Sequence, residues 1–138
     1  MKIATFNVNS VRIRLPIVLQ WLEQHQPDVL CLQETKVQDD QFPLMAFAST
    51  GYHVAYRGMK SYNGVAVLSR KIPESVCYGF DDASPEPDDV RLMRVHAVPQ
   101  WWVSSFITYG FLMSGIHYLR QLDFRNFSAR YAATSTIG

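Results

Sequence analysis

Val29-Leu30-Cys31-Leu32-Gln33-Glu34-Thr35-Lys36 carries an apolar run straight into a carboxylate flanked by an amide and a cation. A short run rich in Val and Leu, launched from Pro27-Asp28, reads as a buried strand. Glu34 then stands at the strand's carboxyl end, where α/β sheets open to solvent and build their sites. A second strand with a polar end lies upstream: Lys2 to Val8, holding Asn7 and followed by Asn9-Ser10. Between the two, Leu15, Val18, Leu19 and Leu22 recur at i, i+3, i+4 and i+7. That spacing predicts a helix beginning near Leu15, with Pro16 in its first turn and Pro27-Asp28 at its end. Strand, helix, strand brings both polar ends to one edge of one sheet. Asn7, Asn9 and Glu34 are therefore candidate oxygen ligands for a hard cation.

Downstream, a polar loop over Val37 to Gln41 leads to a short helix, Phe42 to Ala48. From Tyr52 the pattern changes to short strands separated by turn residues: Tyr52 to Arg57, Gly64 to Ser69, and Ser75 to Phe80 after Pro73. Val90 to Val98 and Val103 to Tyr109 continue it, with Pro99-Gln100-Trp101-Trp102 between them, so this region is expected to be antiparallel. Asp81 to Asp89, acidic and holding Pro85 and Pro87, reads as a solvated loop. A last helix is expected from His117 to Ala133, with Leu119, Leu122, Phe124, Phe127 and Tyr131 as its apolar set. No repeat or linker divides the chain, and residues 1–138 read as one α/β domain.

Composition sets the outer bounds. With 138 residues, 48% of them hydrophobic and 18% charged, the chain has enough apolar surface for a core. A net charge of +1 gives no global field toward nucleic acid, so such contact must come from local clusters. Arg12, Arg14, Lys36, Arg57, Lys60, Arg70 and Lys71 stand at turns and strand ends, available for phosphate. Cys31 and Cys77 have no metal or redox spacing, and His25, His53, His96 and His117 no ligand spacing. Without a secretory h-region or a run of about 20 apolar residues, a cytoplasmic protein with no membrane association is expected.

Three segments, in this order, carry a resemblance. They are Phe6-Asn7-Val8-Asn9-Ser10-Val11-Arg12, Pro27-Asp28-Val29-Leu30-Cys31-Leu32-Gln33-Glu34-Thr35-Lys36 and Gly64-Val65-Ala66-Val67-Leu68-Ser69. With Phe42-Pro43, Gly51-Tyr52 and Gly79-Phe80 in their expected places, the chain resembles the exonuclease III family. These are the class II apurinic/apyrimidinic (AP) endonucleases of the endonuclease/exonuclease/phosphatase superfamily. The resemblance implies a four-layer α/β sandwich, two mixed sheets face to face with helices outside. It also implies a Mg²⁺-dependent phosphodiesterase, with Mn²⁺ as the substitute ion. Its substrate would be double-stranded DNA, cut at abasic sites or trimmed from 3′ ends in base-excision repair. Glu34 matches the metal-binding glutamate and Asn7 the asparagine beside it; Asn9, in the same corner, joins Arg12, Lys36, Arg57 and Lys60 as candidate nucleic-acid contacts. No protein partner is implied. A lipid phosphodiesterase of the same superfamily fits Gln33-Glu34-Thr35-Lys36 less well.

Beyond Ala97 the resemblance thins. Ile107-Thr108-Tyr109-Gly110-Phe111 keeps the Tyr of the family's Asn-x-Tyr-x-Pro-x-Gly, so Tyr109 is the candidate catalytic residue. The family's Gly-Asp-x-Asn, its later Asp and its Ser-Asp-His do not occur, and after Asp89 the one carboxylate side chain is Asp123. The expectation is a truncated domain, a partial four-layer sandwich with an incomplete catalytic set. The alternative function is an inactive relative that keeps weak DNA or metal binding.

Overall fold

Leu30 and Leu32 of β2 (Val29–Gln33) point to one side of the sheet and Val29 and Cys31 to the other, and all four are buried. A strand buried on both faces needs a layer above it and another below. A computed structural model describes both over residues 2–79, 92–97, 101–106 and 116–120, with side chains over 2–79 and 92–96. β1 (Lys2–Asn7) runs parallel to β2, from Ile3 opposite Val29 to Asn7 opposite Gln33. β3 (His53–Arg57) and β4 (Val65–Ser69) extend the sheet antiparallel on the β2 side. β5 (Pro73–Tyr78), β6 (Leu92–Ala97) and β7 (Trp101–Phe106) form a second, antiparallel sheet, with Pro73 opening its edge strand. β8 (Ile116–Arg120) completes the first sheet, whose order is β3-β4-β2-β1-β8.

On one face of that sheet, Ala4, Leu30, Leu32, Ala66 and Leu68 pack with Val11, Val18 and Leu22 of α1 (Val11–His25) and Phe47 of α2 (Leu44–Ala48). On the other, Ile3, Val29, Cys31, Ala55, Val65 and Val67 meet Met93 and Val95 of β6. Helices, mixed sheet and antiparallel sheet are three layers of the expected α/β sandwich, which is incomplete among the described residues. Burial pushes the Cys31 thiol up to about 12, so it acts as a small hydrophobe. Among the described residues no helix is long and apolar enough to cross a membrane.

Several expectations are corrected. α1 begins at Val11, four residues before Leu15, because carbonyls of the loop after β2 take the first N–H groups: Ser10 donates to Glu34 (2.9 Å) and Val11 to Thr35 (3.0 Å). Pro16 thus lies inside the helix; it and Arg12 are exposed, where water can serve the Arg12 carbonyl that loses its partner. The helix ends at Gln26, left-handed (φ 45°), with its N–H on the Leu22 carbonyl. Trp101 and Trp102 belong to β7, in register with Ala97 and His96, since aromatic residues suit a paired strand. From His117 to Arg120 the chain is strand, not helix: β8 pairs antiparallel along the open edge of β1, Lys2 opposite Arg120. The remainder of that expected helix, the acidic loop and Tyr109 lie outside the described residues.

One loop ties these elements together. Thr35, buried, donates its N–H to the Gly64 carbonyl (3.2 Å) and Lys36 donates to Asn63 (2.9 Å). A Cβ on Gly64 would stand 2.1 Å from Thr35 Oγ1, and Gly64 has φ +91°, so both space and backbone exclude a side chain there. Glu34 and Lys36, on either side of Thr35, are both left-handed at φ 52°.

Gly64→Ala is expected to lower stability by at least ~1–2 kcal/mol, read from urea unfolding. Adding Thr35→Ala should relieve the clash but not the φ, so the double variant is less destabilised than the two single losses summed. Leu68→Ala, fully buried in β4, should cost about 2–5 kcal/mol in the same measurement.

Candidate functional site

The parallel pairing of β1 with β2 sets Asn7 opposite Gln33, one residue short of Glu34. Asn7 Nδ2 donates to Glu34 Oε1 at 2.7 Å, and Lys36 Nζ lies 3.2 Å from Glu34 Oε2. Lys36 Nζ also donates to Asn9 Oδ1 at 2.6 Å, and the Asn9 N–H donates to Asn7 Oδ1 at 3.1 Å. The four residues close a ring. Its hydrogen bonds assign the Asn7 amide, because the flipped form would set oxygen against a carboxylate and nitrogen against an N–H. The Asn7 amide, and after it the Lys36 ammonium, hold the Glu34 carboxyl below its ordinary value, opposed by partial burial. Glu34 is therefore ionised at neutral pH.

The Glu34 and Lys36 side chains keep 30% and 32% of their surface accessible, so the carboxylate is reachable from solvent. It already faces one cationic nitrogen, and Asn7 Oδ1 retains a lone pair beyond the one Asn9 uses. This donor set fits an ion such as Mg²⁺, which keeps several waters and takes one or two carboxylates plus substrate phosphate. It does not make an all-protein cage: among the described residues no group of three or more His, Cys, Asp or Glu gathers.

The same sheet edge carries further polar groups. Arg57, Val65, Gln33 and Asn7 stand in one row across four strands, placing Arg57 about 14 Å from Asn7 by strand spacing. The Arg57 guanidinium lies over the Tyr78 ring, 5.2 Å from its centroid. Asp39 Oδ1 accepts the Gly58 N–H at 2.7 Å, bracing the turn that presents exposed Lys60. Arg12 is exposed in the first turn of α1, which holds no acidic residue. Arg70 is elsewhere: it follows Ser69, which pairs with Val29 at the opposite end of β2, and donates to Gln26 Oε1 (2.9 Å). His25 stacks on Trp21 and His96 pairs with Glu74, both away from the ring. Sequence reasoning missed Thr35 and Asp39 as supports; their contacts are to backbone far along the chain, which no local pattern signals.

The endonuclease/exonuclease/phosphatase family model matches residues 4–128. Exodeoxyribonuclease III of Haemophilus influenzae is 41% identical over 80 residues, 58% of this chain and 30% of that protein. The chain thus spans less than a third of the length of that curated relative. An AP endonuclease structure from Archaeoglobus fulgidus is similar with TM-score 0.67 and 50% identity, over 71% of this chain and 37% of that one. The 3′ phosphatase NExo from Neisseria, bound to a product DNA hairpin, is similar with TM-score 0.67 and 41% identity, over 71% and 38%. A family match running through both sheets and the Glu34 ring settles the relationship: the chain belongs to the endonuclease/exonuclease/phosphatase family.

Proposed function

We propose that this chain belongs to a Mg²⁺-dependent DNA phosphodiesterase of the exonuclease III type. Its substrate is double-stranded DNA at abasic sites and 3′ ends, in cytoplasmic base-excision repair. The observation that carries the reading is the ring itself: an ionised, accessible carboxylate held by an amide at the carboxyl ends of two parallel strands. Relatives named exodeoxyribonuclease III and AP endonuclease, and one solved with a DNA product, support it.

Glu34 and Asn7 would hold the metal ion, which when bound supplies positive charge to polarise the scissile phosphate and stabilise the leaving 3′ oxygen. Asn7 also orients the Glu34 carboxylate through its Nδ2 donor. Arg12, Arg57 and Lys60, with Asn9 and Lys36, bind phosphate oxygens and position the duplex. Arg12 and Arg14 crowd the positive end of α1 with no acid to offset them, an arrangement that a phosphate relieves. Tyr109 is assigned to the scissile phosphate on the family resemblance alone. Residues 1–138 belong to one domain.

A second reading is a relative that binds metal or DNA without turnover. It draws on the donor set, in which Glu34 is joined by no group of three or more His, Cys, Asp or Glu among the described residues. An abasic-site duplex incubated with the full chain and Mg²⁺ separates the two. Cleavage lost in Glu34→Ala supports the enzyme; no cleavage by folded chain supports the binding relative.

Two further outcomes are expected. In a carboxyl ¹³C titration, Asn7→Ala should raise the Glu34 pKa toward its ordinary value. Because the folded value is the lower one, Glu34 adds stability above its unfolded pKa and loses it as pH falls through the folded value; Asn7→Ala should shrink that acid loss. Arg12→Ala should weaken duplex binding alike across sequences and reduce the salt slope by about 1, read by fluorescence anisotropy.

A further inference from the structure

Lys36 makes an unusual commitment for a residue whose sequence position suggests phosphate binding. Its ammonium is held by Glu34 Oε2 at 3.2 Å and Asn9 Oδ1 at 2.6 Å, inside the ring and not pointing away from it. We propose that Lys36 is an exchangeable internal counter-ion: its ammonium neutralises Glu34 in the free protein, leaves that carboxylate when a divalent cation binds there, and turns to DNA phosphate. The proposal rests on the reading of Glu34 as the cation anchor.

Three features of the molecule support exchange. First, the ammonium and an incoming cation compete for one carboxylate, and two positive charges within a few ångströms repel. Second, with 32% of the Lys36 side chain accessible, water can take over its solvation, and ion pairs this exposed are weak enough to open. Third, the Lys36 backbone is fixed by its N–H on the Asn63 carbonyl at 2.9 Å, so the movement is confined to the four-carbon stem. Release also frees Asn9 Oδ1, the other acceptor at the same edge. The consequence is coupling: cation binding presents one more ammonium to DNA, and by reciprocity DNA strengthens cation binding.

Mn²⁺ binding to the full chain, followed by electron paramagnetic resonance at fixed pH and ionic strength, tests this without any turnover. Lys36→Met should bind Mn²⁺ about three- to tenfold more tightly than the parent, the effect of removing one partly screened charge; Lys36→Gln should do likewise and serves if the Met variant does not fold. In the parent, Mg²⁺ should shift the Lys36 ¹⁵Nζ resonance. Unchanged or weaker Mn²⁺ affinity in both Lys36 variants overturns the exchange. Glu34→Gln separates the layers of the argument: if it leaves Mn²⁺ affinity intact, the Glu34 anchor fails and this proposal with it. Lost binding in Glu34→Gln together with tightening in the Lys36 variants supports both.

Discussion

Thr35 packs into the space that Gly64 leaves by having no side chain, and the neighbouring elements take their positions from that contact. Its N–H goes to the Gly64 carbonyl and its own carbonyl receives the Val11 N–H that opens α1. One buried residue therefore ends β2, starts the helix and docks the turn before β4. The cost is two left-handed, non-glycine residues, Glu34 and Lys36, at roughly 1–2 kcal/mol each. Such strain persists where surrounding contacts over-determine it, and the hydrogen bonds to Ser10, Val11, Asn63 and Gly64 do so.

The electrostatics of the ring follow from this backbone. Left-handed turns on both sides of Thr35 leave Glu34 and Lys36 facing the end of β1, where Asn7 and Asn9 complete the hydrogen bonding. The carboxylate is stabilised as an anion chiefly by a neutral amide, with the lysine as a second, more exposed support. A charge held chiefly by one neutral amide and by a partly exposed ion pair stays open to exchange of its cationic partner.

The two-sided burial of the central sheet was legible because β2 and β4 contain almost no polar residues. Val29, Leu30, Cys31 and Leu32, like Val65 to Leu68, leave no face for water. The α1 stripe was legible from its period, and Val18 and Leu22 are its buried members. Its true start was not, since Ser10 makes no side-chain cap and the initiating carbonyls come from residues 34 and 35. His117 to Arg120 likewise fall within the expected helix, while β1 offers them an edge to pair with. Where a long-range backbone partner exists, it overrides weak local preference.

By itself the sequence determined a strand–helix–strand unit with polar residues at two parallel strand ends, an antiparallel continuation, and a family resemblance resting on its first two-thirds. Hydrophobic period and turn chemistry are local properties, and a single chain displays them. Only the tertiary structure decided that Asn7 presents its nitrogen to Glu34, that Lys36 turns inward to the carboxylate, and that Arg57 but not Arg70 shares the edge. Those outcomes depend on strand register and on contacts between distant segments, such as Asn7 with Glu34 and Lys36 with Asn9, each 27 positions apart, and no local pattern encodes them.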